Sequence, residues 1–217
     1  MLLRGLLFVL AVLFACGAHA SEADYPSNSR AASPVPSGTR ARLHILPCEA
    51  GTSFKKCSNI SLTGELTIAD GDAFALRTKE IARAVVTLAG EGGSTFAAIK
   101  IGEIIHAKKY ATVVNGFCFS ACAYIWIAGQ DRGLGLGGMV VFHPSYNIEQ
   151  EDVADGSGNA LLGMYMARLG YNYDDVIRTI GHGPNDLHVV FMKLDGVVDR
   201  RNITAVEFRA ILAGEPH

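Results

Sequence analysis

Three short segments carry glycine or polar residues directly after predicted apolar strands. They are residues 90–93 with adjacent glycines, residues 115–122 with Ser120, and residues 142–145 with His143. In a parallel sheet, the loops that follow the strands gather at one edge, which is where active sites form. The sequence therefore predicts a single site to which all three segments contribute.

The first two segments offer groups that stabilise an anion and attack a carbonyl. Two adjacent glycines before a predicted helix let backbone N–H groups point outward as an oxyanion cradle, with a purely structural turn as the alternative. Ser120 lies where a predicted strand passes into a helix, which exposes its hydroxyl and brings the N–H of Ala121 within reach of an oxyanion. From the local pattern alone, an N-cap serine is the commoner role at such a boundary.

The third segment offers a base. His143 ends an apolar strand before Pro144, which places its imidazole as a general base beside the neighbouring loop. The alternative is a structural histidine of the core or the sheet edge whose ring nitrogens are hydrogen-bonded. No ATP phosphate-binding loop occurs. The GxGxxG pattern at residues 133–138 follows a predicted helix instead of a strand, so we predict a turn there, no cofactor and no metal.

The elements that must position these segments are predicted from the apolar pattern. Strands are predicted at residues 42–46, 60–68, 84–89, 111–114, 139–142 and around 188–192, and helices at residues 72–83, 94–108, 120–130, 158–169, 174–180 and 204–212. Strands separated by helices form crossover units. We therefore predict an α/β fold of repeated strand-helix crossover units with a largely parallel sheet.

The first 20 residues are predicted to be a secretory signal peptide cleaved after Ala20. Arg4 precedes a short apolar run that ends in small residues, and no later run is long enough to span a membrane. This predicts a periplasmic or secreted protein, with an uncleaved anchor or a lipoprotein anchor at Cys16 as alternatives. A flexible Pro- and Ser-rich linker at residues 21–41 then leads into one domain at residues 42–217.

Charge and cysteine content limit the partners. The net charge is -2 and no basic cluster occurs, so nucleic acid is excluded as a partner. Cleavage would leave Cys48, Cys57, Cys118 and Cys122 in an oxidising compartment, where disulfides form. We favour a disulfide between Cys48 and Cys57. A disulfide between Cys118 and Cys122 is the less favoured pairing, because so short a loop restricts its geometry. Zinc is the alternative for the CxxxC spacing.

The three segments, VVTLAGEGG, TVVNGFCFSACAYIWIAG and GGMVVFHPSY, resemble the proteolytic subunit of the Clp protease within the crotonase superfamily, especially its secreted or periplasmic relatives. The resemblance spans about residues 42–212. It implies a serine peptidase in which Ser120 is the nucleophile and His143 the base. The backbone N–H groups of Gly93 and Ala121 would form the oxyanion hole.

The resemblance also implies a third catalytic residue and a class of substrate. Asp186 matches the triad aspartate best, with Asp195 and Asp175 as alternatives. The expected partner is a peptide or an unfolded protein, the chain is expected to form homo-oligomers, and no ATPase partner is implied because an exported protein lacks ATP. Two other functions stay open: a non-catalytic binding or structural protein of the envelope, and a crotonase-type thioester enzyme, for which no basic cluster is available to hold coenzyme A.

Overall fold

A computed structural model describes residues 38–47, 57–147, 150–181, 185–193 and 195–213. The predicted signal peptide, Cys16, Cys48 and most of the predicted linker lie outside the described residues, and the division into leader, linker and domain stays a prediction. Within the described ranges, no helix combines the length and apolar character needed to cross a membrane.

Strands and helices alternate through the first two thirds of the described chain. In chain order they are β1 Arg42–Pro47, β2 Cys57–Leu66, α1 Ile68–Thr78, β3 Arg83–Gly93, α2 Thr95–Lys108, β4 Ala111–Phe119, α3 Ala121–Trp126, β5 Arg132–Leu134, β6 Met139–Phe142, β7 Tyr146–Asn147, β8 Gln150–Ala154, α4 Gly156–Arg168, α5 Tyr173–Ile180, β9 Asp186–Met192, β10 Val198–Thr204 and α6 Ala205–Ala213. Helices follow β2, β3 and β4 directly, as crossover units require.

One eight-stranded sheet organises the fold. Its order is β1-β2-β3-β4-β6-β9-β10, and β5 also pairs with β4. The central strands β2, β3, β4 and β6 run parallel, whereas β1, β9 and β10 join antiparallel at the two sides. The predicted α/β class with a largely parallel sheet is confirmed. The carboxyl ends of β3, β4 and β6 therefore meet at one edge.

The sheet is buried on both faces near β6. Val140 and Phe142 belong to the main core cluster, which also contains buried residues of α2, α3 and α4. Val141 between them belongs to a second cluster with Phe208 of α6. Because successive strand residues point to opposite faces, this division shows helices covering both sides of β6. The residue after Phe142 thus emerges between two packed layers.

Strands β3 and β4 extend further than their apolar runs predict, whereas β2 ends at Leu66, before the predicted residue 68. The helix predicted at residues 72–83 is α1, which begins at Ile68 and ends at Thr78. Residues 90–93, predicted as a turn, belong to β3, because Gly93 still pairs with Leu66 of β2. Residues 115–119, predicted as a loop, belong to β4, and Gly133 of the predicted turn lies in β5. The helix predicted at residues 120–130 ends at Trp126, whose carbonyl accepts a 2.8 Å bond from the Thr112 hydroxyl. Strand β10 was not predicted at all.

Gly102 in α2 is expected not to tolerate a side chain. A Cβ there would lie 1.8 Å from the hydroxyl oxygen of Tyr165, a buried residue of α4. Gly102→Ala is therefore expected to lower the free energy of unfolding by about 1–3 kcal/mol, as overpacked cores do. Urea denaturation of the purified variant measures this loss.

Gly163 in α4 is the matched control. A Cβ there would meet Val176 and Ile180 at 3.7 and 3.8 Å, which is ordinary contact. Gly163→Ala should leave the stability unchanged or raise it by up to about 1 kcal/mol, since alanine favours a helix interior. Equal losses in both variants would contradict the packing that we describe around Tyr165.

Candidate active site

Ser120 joins β4 to α3 in a backbone conformation that L-residues rarely adopt, with φ 58° and ψ -124°. Among the described non-glycine residues, only Lys109 also has a positive φ, and it is a left-handed helix C-cap. A conformation like that of Ser120 costs about 1–3 kcal/mol and persists only where the surroundings enforce it. Here the Ser120 N–H donates to the Val141 carbonyl, and the Ser120 carbonyl accepts from the Ala123 N–H, both at 2.9 Å.

The side chain of Ser120 does not cap the helix that it precedes. Ser94, Asp155 and Asn172 are N-caps with φ of -62°, -76° and -81°, and their side chains accept a hydrogen bond from the helix that follows. Ser120 occupies the same position before α3, but its hydroxyl makes no such bond. The capping role that the local pattern favours is therefore wrong for this side chain.

Gly92 is the residue of the glycine segment that lies against Ser120. A Cβ on Gly92 would come within 2.6 Å of the Ser120 Cβ and 2.8 Å of the Ala121 nitrogen, so only glycine fits. A Cβ on Gly93, the predicted oxyanion donor, would meet the Leu66 carbonyl at 2.3 Å. The structure thus brings the glycine segment to Ser120 and Ala121. The donor role of Gly93 stays a prediction, and the contact of Gly92 was missed because its register with β4 is not a local signal.

His143 follows β6 and is 6% exposed. Its ring packs against Phe119 and Tyr146, with centroid distances of 4.7 and 4.9 Å. Burial lowers the pKa of His143, and the hydrogen bond from Nδ1 to the Pro144 carbonyl, 2.7 Å long, partly opposes that shift. A neutral ring that donates from Nδ1 carries its lone pair on Nε2, which is the tautomer that a general base needs.

The Nε2 atom of His143 is buried and has no hydrogen-bond partner in the described structure. It is therefore not bonded to the Ser120 hydroxyl, although the parallel pairing of Phe119 with Val141 places Ser120 and His143 at the ends of neighbouring strands. Catalytic hydrogen bonds are often long in the absence of substrate and tighten when it binds. The structure thus places Ser120 and His143 at neighbouring strand ends without a hydrogen bond between them, and their roles as nucleophile and base stay a prediction.

Tyrosine and asparagine side chains hold the backbone around His143. The Tyr124 hydroxyl of α3 donates to the His143 carbonyl at 2.9 Å, and the Tyr165 hydroxyl donates to the Tyr124 carbonyl at 2.8 Å. Burial raises the pKa of both tyrosines, so both remain protonated donors. The Asn159 side chain of α4 binds the N–H and the carbonyl of Ser145 at 2.7 and 2.9 Å. Helices α3 and α4 thereby fix the position of the imidazole.

The three candidate aspartates lie in different places. Asp186 begins β9, which pairs antiparallel with β6, so it reaches the same sheet edge as His143, and it is exposed. Asp195 lies in the hairpin after β9, at the opposite end of the strand, and Asp175 lies in α5, 3.8 Å from Arg178. Only Asp186 shares the edge with His143, but Nδ1 of His143 is bonded to a carbonyl. The catalytic role of Asp186 stays a prediction.

Cys118 and Cys122 form a disulfide that brackets Ser120. This outcome excludes the zinc alternative for the CxxxC spacing, since neither sulfur is a free thiolate. Cys57 is also disulfide-bonded, and its predicted partner Cys48 lies outside the described residues. Within the described ranges, no group of three or more His, Cys, Asp or Glu side chains is arranged to hold a metal ion.

Replacing Ser120 by glycine is expected to stabilise the fold. Glycine adopts a positive φ without strain, so Ser120→Gly should raise the free energy of unfolding by about 1 kcal/mol, whereas Ser120→Ala keeps the Cβ and should not. Denaturant unfolding measures both variants. Ser94→Gly is the control with opposite sign, because Ser94 has an ordinary φ and caps α2. A gain at both serines would show that the effect is not relief of backbone strain.

Comparisons with known proteins find solved structures that are similar to this chain but no matching sequence family. No family model and no curated protein matches the chain. An asparagine-to-aspartate mutant of ClpP1 from Listeria monocytogenes has a TM-score of 0.45 and 14% identity, and the match covers 54% of this chain and 75% of that one. A serine-to-alanine mutant of the 1510-N membrane-bound stomatin-specific protease has a TM-score of 0.43 and 15% identity, and the match covers 55% of this chain and 67% of that one. A lysine-to-alanine mutant of that protease in complex with a substrate peptide has a TM-score of 0.43 and 16% identity, and the match covers 55% of this chain and 63% of that one. These are structures of the type that the sequence resembles.

Proposed function

We propose that this protein is a ClpP-like serine peptidase that hydrolyses peptides or unfolded segments without ATP. One observation carries the proposal: Ser120, which has a strained backbone and does not cap α3, lies at the end of β4, and the buried His143 lies at the end of the neighbouring strand β6. The imidazole is oriented through Nδ1 and unpaired at Nε2. A strained backbone at a polar residue beside an unpaired buried base supports a catalytic site, since both features oppose stability.

The chemistry proceeds through an acyl-enzyme. Ser120 Oγ attacks the substrate carbonyl carbon while its proton passes to Nε2 of His143, and the imidazolium then protonates the leaving amine as the C–N bond breaks. Water repeats the sequence to release the acid. The N–H of Ala121, the first residue of α3, has no intrahelical acceptor, and it stabilises the oxyanion together with Gly93.

The Pro144 carbonyl holds His143 in the resting enzyme. It accepts from Nδ1 at 2.7 Å, which selects the tautomer with the free lone pair on Nε2. A neutral carbonyl stabilises the imidazolium less than a carboxylate does. Asp186 at the same edge is the remaining candidate for stabilising the imidazolium. Mutation of Asp186 separates this role from the orientation of the neutral ring by the Pro144 carbonyl.

We place the protein in the periplasm or outside the cell. Two features support this location: the Cys118–Cys122 disulfide and the disulfide at Cys57, since such bonds persist in oxidising compartments. In that setting the peptidase works without ATP and without an ATPase partner. Assembly into homo-oligomers belongs to the same proposal.

One observation favours a second candidate, a non-catalytic binding or structural protein of the envelope on the same fold. The Ser120 hydroxyl and Nε2 of His143 share no hydrogen bond, and Nε2 is closed off from solvent. A protein that had lost turnover would keep the packing around His143 without needing that bond. Labelling of the serine separates the two candidates.

A fluorophosphonate probe is expected to label the wild-type protein and not Ser120→Ala. His143→Gln should slow labelling by about 100-fold or more, because general-base catalysis contributes at least that much. Asp186→Asn should change the rate by only a few fold if the Pro144 carbonyl orients the ring. Mass spectrometry of the labelled peptide gives site and rate, and a folded wild-type protein that resists the probe would favour the non-catalytic candidate.

The pH dependence of catalysis should reflect the lowered pKa of His143. The base must be neutral, so kcat/KM of a peptide substrate should fall on acidification with a midpoint below the ordinary histidine value of 6.5. The same residue affects stability. Between 6.5 and the lowered pKa, the unfolded chain binds the proton more readily, so the free energy of unfolding decreases as the pH falls through that window.

Both pH effects are measurable with one variant as control. The acid limb of kcat/KM is taken from the wild-type enzyme, and the stability change from denaturant curves of the wild type and His143→Gln. The variant should lack the part of the pH dependence that His143 causes. An acid limb centred at or above 6.5 would contradict a buried neutral base.

A further inference from the structure

The disulfide between Cys118 and Cys122 closes a covalent ring around Ser120. Cys118 lies near the end of β4 and Cys122 in the first turn of α3, with 5.2 Å between their Cα atoms. Both residues are buried, at 0% and 4% exposure, within the main core cluster. Sulfur atoms placed there do not meet a substrate, so their effect falls on the three residues that the ring encloses.

The ring acts on the residue whose backbone is strained. Hydrogen bonds tie Ser120 separately to Val141 of β6 and to Ala123 of α3. The disulfide adds a direct covalent link between β4 and α3, and so short a loop leaves little freedom to the dihedral angles inside it. Without the link, a serine before a helix has an available lower-energy state, which is the ordinary cap that Ser94 adopts with φ -62°.

We propose that the Cys118–Cys122 disulfide is a positioning element for the nucleophile, an inference that rests on the proposed function of Ser120. The closed ring keeps Ser120 at positive φ with its hydroxyl off the helix end. With the ring open, Ser120 relaxes to a negative φ, and its hydroxyl accepts a hydrogen bond from the first turn of α3. The disulfide thus decides between the two roles, cap and nucleophile, that are open to a serine at this boundary.

The ring opens by thiol-disulfide exchange with a dithiol such as dithiothreitol. The S–S bond breaks, two electrons and two protons pass from the dithiol to the protein sulfurs, and the dithiol leaves as its cyclic disulfide. The products are two buried thiols, which pack as small apolar groups. The fold is therefore expected to persist while the backbone at Ser120 relaxes.

The first test compares the rate of fluorophosphonate labelling in the full-length wild type and in Cys118→Ala/Cys122→Ala. The double variant should label about 10- to 100-fold more slowly, as displaced nucleophiles do, and its peptidase kcat should fall with KM unchanged. Dithiothreitol should lower the wild-type rate by a similar factor in samples in which mass spectrometry shows that the buried Cys118–Cys122 bond has been reduced. It should not slow the double variant further, which separates this disulfide from the one at Cys57. An unchanged labelling rate in the double variant overturns the proposal.

The second test needs no activity. Ser120→Gly should raise the unfolding midpoint of the oxidised protein by about 2–4 °C, but not that of Cys118→Ala/Cys122→Ala, where the serine has already relaxed. Equal rises in the two backgrounds overturn the positioning role. If the wild type does not label at all, the proposed peptidase function fails, and the glycine comparison alone then decides whether the disulfide sets the backbone of Ser120.

Discussion

The parallel register of β3, β4 and β6 is the constraint on which the site depends. Gly90 pairs with Cys118 and Phe119 with Val141, so segments distant in the chain end at one sheet edge. A shift of one residue would reverse the faces of Phe119 and Ser120. The ring of Phe119 resists that shift, because it stacks near Phe208 in the packing of the second core cluster. Core packing therefore determines which way the serine faces.

The environment of His143 combines opposing effects. Aromatic rings exclude water and lower its pKa, while the Pro144 carbonyl favours the protonated form. The result is an imidazole that stays neutral at lower pH than a solvated histidine and is a weaker base in return. An unpaired Nε2 and a strained serine both reduce stability. The surrounding layers must compensate for them, and the buried tyrosines Tyr124 and Tyr165, each hydrogen-bonded to a carbonyl, connect those layers to the site.

Local sequence signals placed Ser120 and His143 at the ends of predicted strands, and the structure has them directly after β4 and β6, while their catalytic roles stay a prediction. They did not identify the Pro144 carbonyl as the partner of Nδ1, since that bond depends on how the chain turns after β6. They also missed β10, whose sequence VDRRNIT has little apolar alternation and is a strand only because it pairs with β9. The choice between Gly92 and Gly93 as the neighbour of Ser120 depends on strand register, which no single segment contains.

The boundary between β4 and α3 shows why a residue type alone does not define a role. Ser94 and Ser120 both precede a helix that follows a parallel strand, and the first is a cap while the second is not. Their φ angles, -62° and 58°, differ in sign. The Ser94 N–H donates to the Leu66 carbonyl and its hydroxyl accepts from the Ala97 N–H, whereas Ser120 lies inside a disulfide ring and against Gly92. The neighbours of each serine, more than the hydroxyl itself, therefore determine whether the side chain caps the helix that follows.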